Sequence, residues 1–162
     1  MGKKSVTILV ILMASACSPQ VSSPPKDRSS STSSDNEYYT SLPLKELMHH
    51  VIDYSAEGVW KWEGWVSDKN GQRALFPTND EEWEQAESAA LTLAEVTNVL
   101  LLPGRRVDDP RWSAAVEKVR NSALAVAKAA EDRDQDRFFH TGSGLDDACE
   151  SCHLAFVSSP AS

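Results

Sequence analysis

The stretch LDDACESCHLAF, residues 145–156, decides the fold of this chain because its apolar residues and cysteines recur at a helical period. Leu145, Cys149, Cys152 and Phe156 follow one another at steps of four, three and four residues. Side chains at these spacings lie on one face of an α-helix. The sequence therefore predicts a C-terminal helix whose two cysteines face the core of the domain.

The same stretch contains the motif C-x-x-C-H, written here by Cys149, Cys152 and His153. This motif is the attachment signature of a c-type haem, and the histidine that follows the second cysteine suits the role of proximal iron ligand. Two thiols at this spacing can bond to the two vinyl groups of a porphyrin. We therefore predict one covalent haem c, with His153 bound to its iron.

Two cysteines at this spacing also occur in zinc sites, in thioredoxin-like redox sites and in structural disulfides. A zinc site requires further cysteines or histidines at ligand spacing, and the only other cysteine, Cys17, lies in an N-terminal targeting segment. A thioredoxin-like motif belongs to a βαβ context, which this sequence does not predict. A structural disulfide between Cys149 and Cys152 stays open, and the protein would then be a haem-free envelope lipoprotein.

Residues 1–16 have the pattern of an export signal. Lys3 and Lys4 precede an apolar run over residues 6–13, and small residues fill positions 14–16. The run is shorter than the ~20 residues that span a bilayer, and its length is typical of a signal peptide. The chain is therefore predicted to leave the cytoplasm, the route on which c-type haem is attached.

The export signal ends immediately before Cys17 and resembles that of a bacterial lipoprotein, although Ala14 stands where such signals usually have leucine. The resemblance implies that Cys17 is lipidated and becomes the mature N-terminus. Ser18 follows in place of an aspartate that would favour retention in the inner membrane. We therefore expect an outer-membrane lipid anchor, with the protein on the periplasmic side of the envelope.

The composition of the mature chain excludes one class of partner. The formal net charge is −8, and residues 1–16 contribute two lysines and no acidic residue, so the mature chain carries −10. This charge argues against nucleic-acid binding, which relies on basic patches. Residues 17–40 are rich in serine and proline and are predicted to form a disordered tether, which leaves residues 41–158 as one domain.

Four helical segments are predicted within that domain. The first begins near residue 41 and ends near Gly58 or Gly64, and the others cover residues 78–102, 109–130 and 134–157. Thr78 and Glu81 have capping-box spacing, and Gly142-Ser143-Gly144 is a possible break in the last segment. The second and third segments carry core stripes at steps of three and four residues: Trp83, Ala86, Ala90, Leu93, Thr97 and Leu100, then Trp112, Val116, Val119, Ala123, Val126 and Ala130. The predicted fold class is all-α, an antiparallel four-helix bundle with the covalent haem on its last helix.

This arrangement resembles the cytochrome c prime family, the class II c-type cytochromes, over residues 41–157. The resemblance is most specific in the C-terminal half, at Trp112-Ser113-Ala114-Ala115, Phe138-Phe139 and residues 148–156. The family has an aromatic residue three positions after the motif histidine, as Phe156 is here, and then a basic residue. Val157 stands at the basic position, so the role of that basic residue is not carried over to this chain.

The resemblance also implies that the first helix faces the distal side of the haem. Low-spin members of the family present a methionine there, whereas five-coordinate members leave the iron open. Met48 is the only methionine after the export signal and shares an apolar stripe with Leu44, Val51 and Ile52. Met48 is therefore the predicted distal ligand, with His49 as the runner-up and an open or water-occupied site as the third alternative.

His50 and His140 are weaker candidates for the distal iron ligand.

Two other groups of residues each have two alternative predicted roles. The tryptophans Trp60, Trp62 and Trp65 would form a lid or docking surface over a haem edge, or a hydrophobic plug at the end of the bundle. Arg105 and Arg106 would pair with haem propionates, or lie in a solvated loop.

The function that follows is electron transfer by a lipid-anchored c-type cytochrome, and no nucleophile–base pair indicates an enzyme. The first alternative is a five-coordinate haem protein that binds NO or CO, in which Met48 would be core packing. The partners are then a redox protein that the sequence does not identify, and the membrane through the lipid on Cys17. The sequence is compatible with a homodimer as well as with a monomer.

Overall fold

The structure, a computed structural model, describes residues 38–157. The predicted export signal, the lipidation of Cys17 and the tether up to residue 37 lie outside the described residues. None of the helices within residues 38–157 combines the length and the hydropathy that a membrane crossing requires.

The described chain is mostly helical, as the sequence predicted. A first helical run consists of α1 (Leu44–Leu47), a π-helical turn (Met48–Ile52) and α2 (Asp53–Trp60). A short hairpin of β1 and β2 follows, and then three longer helices. The bounds of these elements are Trp65–Asp68 for β1, Gly71–Ala74 for β2, Asp80–Val96 for α3, Trp112–Glu131 for α4 and Gln135–Phe156 for α5, with a 3₁₀ turn at Thr97–Leu101.

Helices that follow one another in the chain pack against one another: α2 on α3, α3 on α4, and α4 on α5. The side chains between them form a large cluster around Leu93, Phe138 and Leu145 and a smaller cluster around Leu100 and Trp112. Every residue of the two predicted core stripes is buried, the first on α3 and the 3₁₀ turn and the second on α4. The hydroxyl of the buried Thr97 donates to the carbonyl oxygen of Ala94 at 2.7 Å. Helical periodicity therefore predicted the buried faces correctly.

The first helical run contains a π-helical turn that the sequence did not indicate. The backbone N–H of Asp53 donates to the carbonyl oxygen of Met48, five residues earlier. Such turns insert an extra residue into a helix and are frequent at functional sites. Here Ile52 is buried and Met48 is half-buried, whereas His49 and His50 are exposed.

The cap of α3 lies one residue later than the predicted pair Thr78 and Glu81. The side chain of Asn79 accepts from the backbone N–H of Glu82 at 3.0 Å. The carboxylate of Glu82 accepts in return from the backbone N–H and the hydroxyl of Thr78, at 2.6 and 2.8 Å. The helix start therefore uses the chemistry of a capping box with different members.

The polar connection between the first two segments contains the hairpin, which the sequence did not predict. Trp65 pairs with Ala74, and Asp68 with Gly71. Lys69 and Asn70 form the turn between the strands, and Gly71, which follows them, has a φ of +113° that favours glycine. Almost every hairpin residue is exposed, so the strands lack the apolar alternation that reveals a strand in a sequence.

Helix α5 runs without a break through Gly142-Ser143-Gly144, so the break considered at this point does not occur. Gly142 is buried in α5, and a Cβ atom there would lie only 1.8 Å from Oε1 of Glu63. Glycine in a helix costs ~1 kcal/mol, which the packing of α5 against α4 offsets. The glycine at 142 thus makes room for a carboxyl group from the loop after α2.

Candidate functional site

A small apolar cavity of about 60 Å³ lies where the two core clusters meet. The first helical run, the 3₁₀ turn, α4 and α5 all contribute to its walls. The apolar lining includes Ile52, Ala56, Leu100, Val116 and Val119. The C-x-x-C-H residues and Met48 line the same cavity, although they are far apart in sequence.

Cys149, Cys152 and His153 line the cavity from the last turns of α5. Both cysteines are half-buried free thiols. Ala148, in the same part of the helix, is buried, whereas the His153 residue is exposed overall. The helix therefore brings both thiols and the imidazole to one site, as the spacing predicted.

The cavity favours neutral thiols at both cysteines. Burial raises the pKa of the Cys149 thiol to about 11, and the carboxylate of Asp146 adds to that shift, with smaller contributions from Cys152 and Asp53. Burial also raises the pKa of Cys152. Reactive redox cysteines usually have lowered pKa values and electropositive surroundings, so these surroundings do not favour a thioredoxin-like use of the motif.

Met48 reaches the cavity from the π-helical turn. Its side chain packs against both core clusters and lines the cavity together with His153. A thioether and an imidazole on different elements of one apolar cavity are the pair of groups that bind the two axial positions of iron in His/Met cytochromes. The structure therefore brings the predicted proximal and distal residues together.

The runner-up distal residue, His49, lies outside the cavity, contrary to what a ligand role requires. Its side chain is 73% exposed, and its Nδ1 lies 4.0 Å from a carboxylate oxygen of Asp53, one turn further along. Nε2 of His50 lies 3.3 Å from a carboxylate oxygen of Glu46. His140 is exposed and its ring lies against that of Phe139, so none of the three rival histidines is in place.

The three tryptophans that follow the first helical run do not form a single lid. Trp60 lines the cavity, and Trp62 packs against the large core cluster. Trp65 is 52% exposed and makes edge contacts with the rings of Phe76 and Phe139. Trp60 alone is thus placed to cover a group bound in the cavity.

Arg105 is buried, so the alternative of a solvated loop is wrong for this residue. Its guanidinium donates to the carbonyl oxygens of Leu42 and Tyr39, at 3.0 and 3.3 Å. These bonds attach the segment before α1 to the loop before α4. Arg106 is exposed.

The C-terminal end of α5 has a basic neighbour from another helix. Val157 is exposed, whereas the ring of Phe156 lies edge-on to Trp112, with centroids 5.0 Å apart. The guanidinium of Arg111 lies 5.6 Å from the centroid of the Phe156 ring, and it donates to the carboxylate of Asp109. The basic group beside Phe156 is therefore Arg111 rather than residue 157.

A second cavity, of about 280 Å³, adjoins the first through Trp60. Glu63, Gly142, Ser143 and Asp146 complete its lining. Burial, together with the negative charge of Asp146, raises the pKa of Glu63 to about 7. The sequence did not indicate Glu63 as a site residue, because no pattern in its own segment predicts burial. The space for its carboxyl group exists because Gly142, on α5, has no side chain.

The raised pKa of Glu63 predicts that stability falls with rising pH. A carboxyl group with a raised folded-state pKa stabilises the fold fully below its unfolded pKa of about 4.5 and loses that contribution as the pH rises through about 7. Glu63→Gln should remove this component from the difference in unfolding free energy between pH 4.5 and 8. Its size is about 2 kcal/mol once the shift is discounted for the partial exposure of the carboxyl group. Urea denaturation of both proteins at the two pH values measures it, and an identical pH dependence would contradict the assignment.

No group of three or more His, Cys, Asp and Glu side chains that could hold a metal ion occurs among residues 38–157. Comparison with known proteins found no matching family model, no significantly similar curated protein and no significantly similar solved structure.

Proposed function

We propose that this protein is a lipid-anchored c-type cytochrome of the bacterial envelope, which carries one covalent haem c and transfers single electrons on the periplasmic side. The observation that carries the proposal is the shared cavity. Two thiols, the imidazole of His153 and the thioether of Met48 line one apolar space. The motif and the cavity are independent observations, because the motif by itself says nothing about residue 48.

The donor set suits a haem. Cys149 and Cys152 would form the thioether bonds, His153 would be the proximal ligand, and Met48 would be the distal ligand. The porphyrin supplies the other four iron ligands, so a cluster of acidic or histidine side chains is not required. A porphyrin is larger than a cavity of about 60 Å³, and binding therefore requires side chains of the walls, such as Trp60, to move outward.

The bound haem would supply reversible one-electron chemistry, and the protein would set its conditions. The apolar walls built by Ile52, Leu100, Val116 and Val119 would limit the access of water. Met48 opposite His153 would raise the reduction potential relative to a second histidine. The first helical run and α5 would each supply one of the two iron-binding side chains to the cavity.

The packing of consecutive helices supports the wider proposal of an antiparallel four-helix bundle related to the cytochrome c prime family. The first helical run, α3, α4 and α5 pack in chain order and carry their buried residues at steps of three and four. This is the pattern of an up-and-down bundle, whose cofactor sites lie between facing helices.

Gas binding is the second candidate, and the π-helical turn favours it. Met48 opens that turn, and π-helical turns are rare, irregular elements that often occur at functional sites. A thioether on such an element could leave the iron and make the distal position available to CO or NO. The protein would then be a five-coordinate or easily opened haem protein.

Absorption spectra of the reduced protein with and without carbon monoxide separate the two functions. Electron transfer with stable Met48 ligation predicts a low-spin spectrum that carbon monoxide does not change within minutes. An immediate shift on addition of the gas would overturn this proposal in favour of gas binding. The lipid anchor on Cys17 is part of the proposal and is tested by membrane fractionation of a Cys17→Ser variant.

A further inference from the structure

The cavity beside the haem site contains a carboxyl group whose position is unusual. Oε1 of Glu63 and Nε1 of Trp62 are both buried, and neither has a hydrogen-bond partner among the described residues. A buried carboxylate without a partner is costly, so such a group tends to bind a proton. The buried position of Glu63 therefore favours the protonated form of its carboxyl group.

The position of Glu63 depends on Gly142. A Cβ atom at residue 142 would lie within 2.1 Å of three atoms of the Glu63 carboxyl group. At Gly144, two residues further along the same helix, a Cβ atom would meet nothing within 4 Å. The carboxyl group thus occupies a recess in α5 that exists only because residue 142 has no side chain.

Asp146 links this recess to the haem-attachment motif. Its charge raises the pKa of Glu63 and that of Cys149, in both cases in addition to burial. From the first helical run, Asp53 also acts on Cys149. Beside Glu63 in the chain, the ammonium of Lys61 lies 4.8 Å from the centroid of the Trp62 ring. Trp60 separates the recess from the cavity and lines both.

We propose that Glu63 is a redox-linked proton site. The Glu63 carboxylate would take up one proton from solvent when the bound haem accepts one electron from a donor protein, and it would release that proton when the next carrier removes the electron. The electron would add one negative charge to the haem and the proton one positive charge to Glu63, so the net charge of the two sites together would be unchanged.

This inference rests on the proposed function, because it requires a haem in the neighbouring cavity. Its direction follows from electrostatics. Reduction of the iron removes one positive charge from the neighbourhood of Glu63 and increases its proton affinity. The reduction potential should therefore fall with rising pH near pH 7, where Glu63 titrates. The limiting slope is about 59 mV per pH unit, the value for one proton taken up with one electron.

Potentiometric titration of the haem-loaded protein between pH 5 and 9 tests the inference. The unmutated protein should show the slope, Glu63→Gln should abolish it, and Asp147→Asn should keep it. Asp147 is the matched control, because it is an exposed acidic residue on the same helix and does not line the recess. A potential that is independent of pH, or a slope that survives Glu63→Gln, would overturn the inference.

A pair of glycine variants provides a second measurement. Gly142→Ala should expel the carboxyl group into solvent and remove the pH-dependent slope, whereas Gly144→Ala should leave it intact. Infrared spectra should show the band of a protonated carboxyl group at pH 6 in the Gly144→Ala protein and not in the Gly142→Ala protein. Equal slopes and equal bands in the two variants would contradict the role of the recess.

The haem content of every sample distinguishes the two possible failures. If a sample contains haem but has a pH-independent potential, the proposed proton site is wrong and the proposed cytochrome function is unaffected. A sample that takes up no haem under maturation conditions overturns the proposed function and this inference together.

Discussion

Replacement of Cys149 and Cys152 together by alanine is expected to abolish covalent haem attachment completely. Either thioether bond alone would hold the porphyrin by one edge, so each single variant should retain far less haem than the unmutated protein. The reason is geometric, because both thiols line the cavity from one face of α5. A haem stain on a denaturing gel measures the effect, because only covalently bound haem remains with the protein.

Ser151→Ala is the matched control for the cysteine variants. Ser151 lies between the two cysteines and is exposed, and its hydroxyl accepts a hydrogen bond from Lys118 at 3.1 Å. This variant should stain as strongly as the unmutated protein. Equal staining of the double cysteine variant would contradict the assignment of the motif.

Replacement of Met48 is expected to change the spin state of the iron. Without the thioether the distal position is open, so the protein should become high-spin and bind carbon monoxide at once. The weak sulfur-to-iron band of the oxidised protein should disappear, and the potential should fall by on the order of 100 mV, within the ~0.8 V range that axial ligands cover. Absorption spectroscopy and potentiometry measure these changes.

Met48→Leu is the preferred variant, because leucine has a similar volume and such exchanges in a core usually cost less than ~1.5 kcal/mol. A change seen in both Met48→Leu and Met48→Ala reports a lost ligand rather than lost packing. His49→Ala and His50→Ala should leave the spectrum unchanged, since both side chains are exposed. A spin-state change in His49→Ala alone would show that the ligand pair is bis-histidine.

The parts of the fold that depend on burial at a regular period could be predicted from the sequence. Trp83, Leu93, Val116 and Val126 repeat at helical steps, and all of them are buried. The C-terminal motif could be predicted for the same reason, because it combines a chemical signature with a helical face. Met48 was identified as the single methionine on such a face, and the structure places it at the cavity.

The features that depend on tertiary contacts could not be predicted. The hairpin has no buried face and therefore no apolar alternation. The π-helical turn inserts a residue that no apolar periodicity marks, and His49 within it is exposed. In the sequence Glu63 has the features of an ordinary surface residue, and only the fold places it against Gly142. Arg105 likewise gains its role only from the backbone of a distant segment.

The intact mass of the mature protein, produced in cells with haem-maturation machinery, tests the central claim most directly. The proposed function predicts a mass that exceeds the polypeptide and its lipid by one haem, together with a pyridine haemochrome spectrum typical of two thioether bonds. A mass without haem, lower by two hydrogens than that of the free dithiol, would instead show a Cys149–Cys152 disulfide and would contradict the assignment of this protein as a cytochrome.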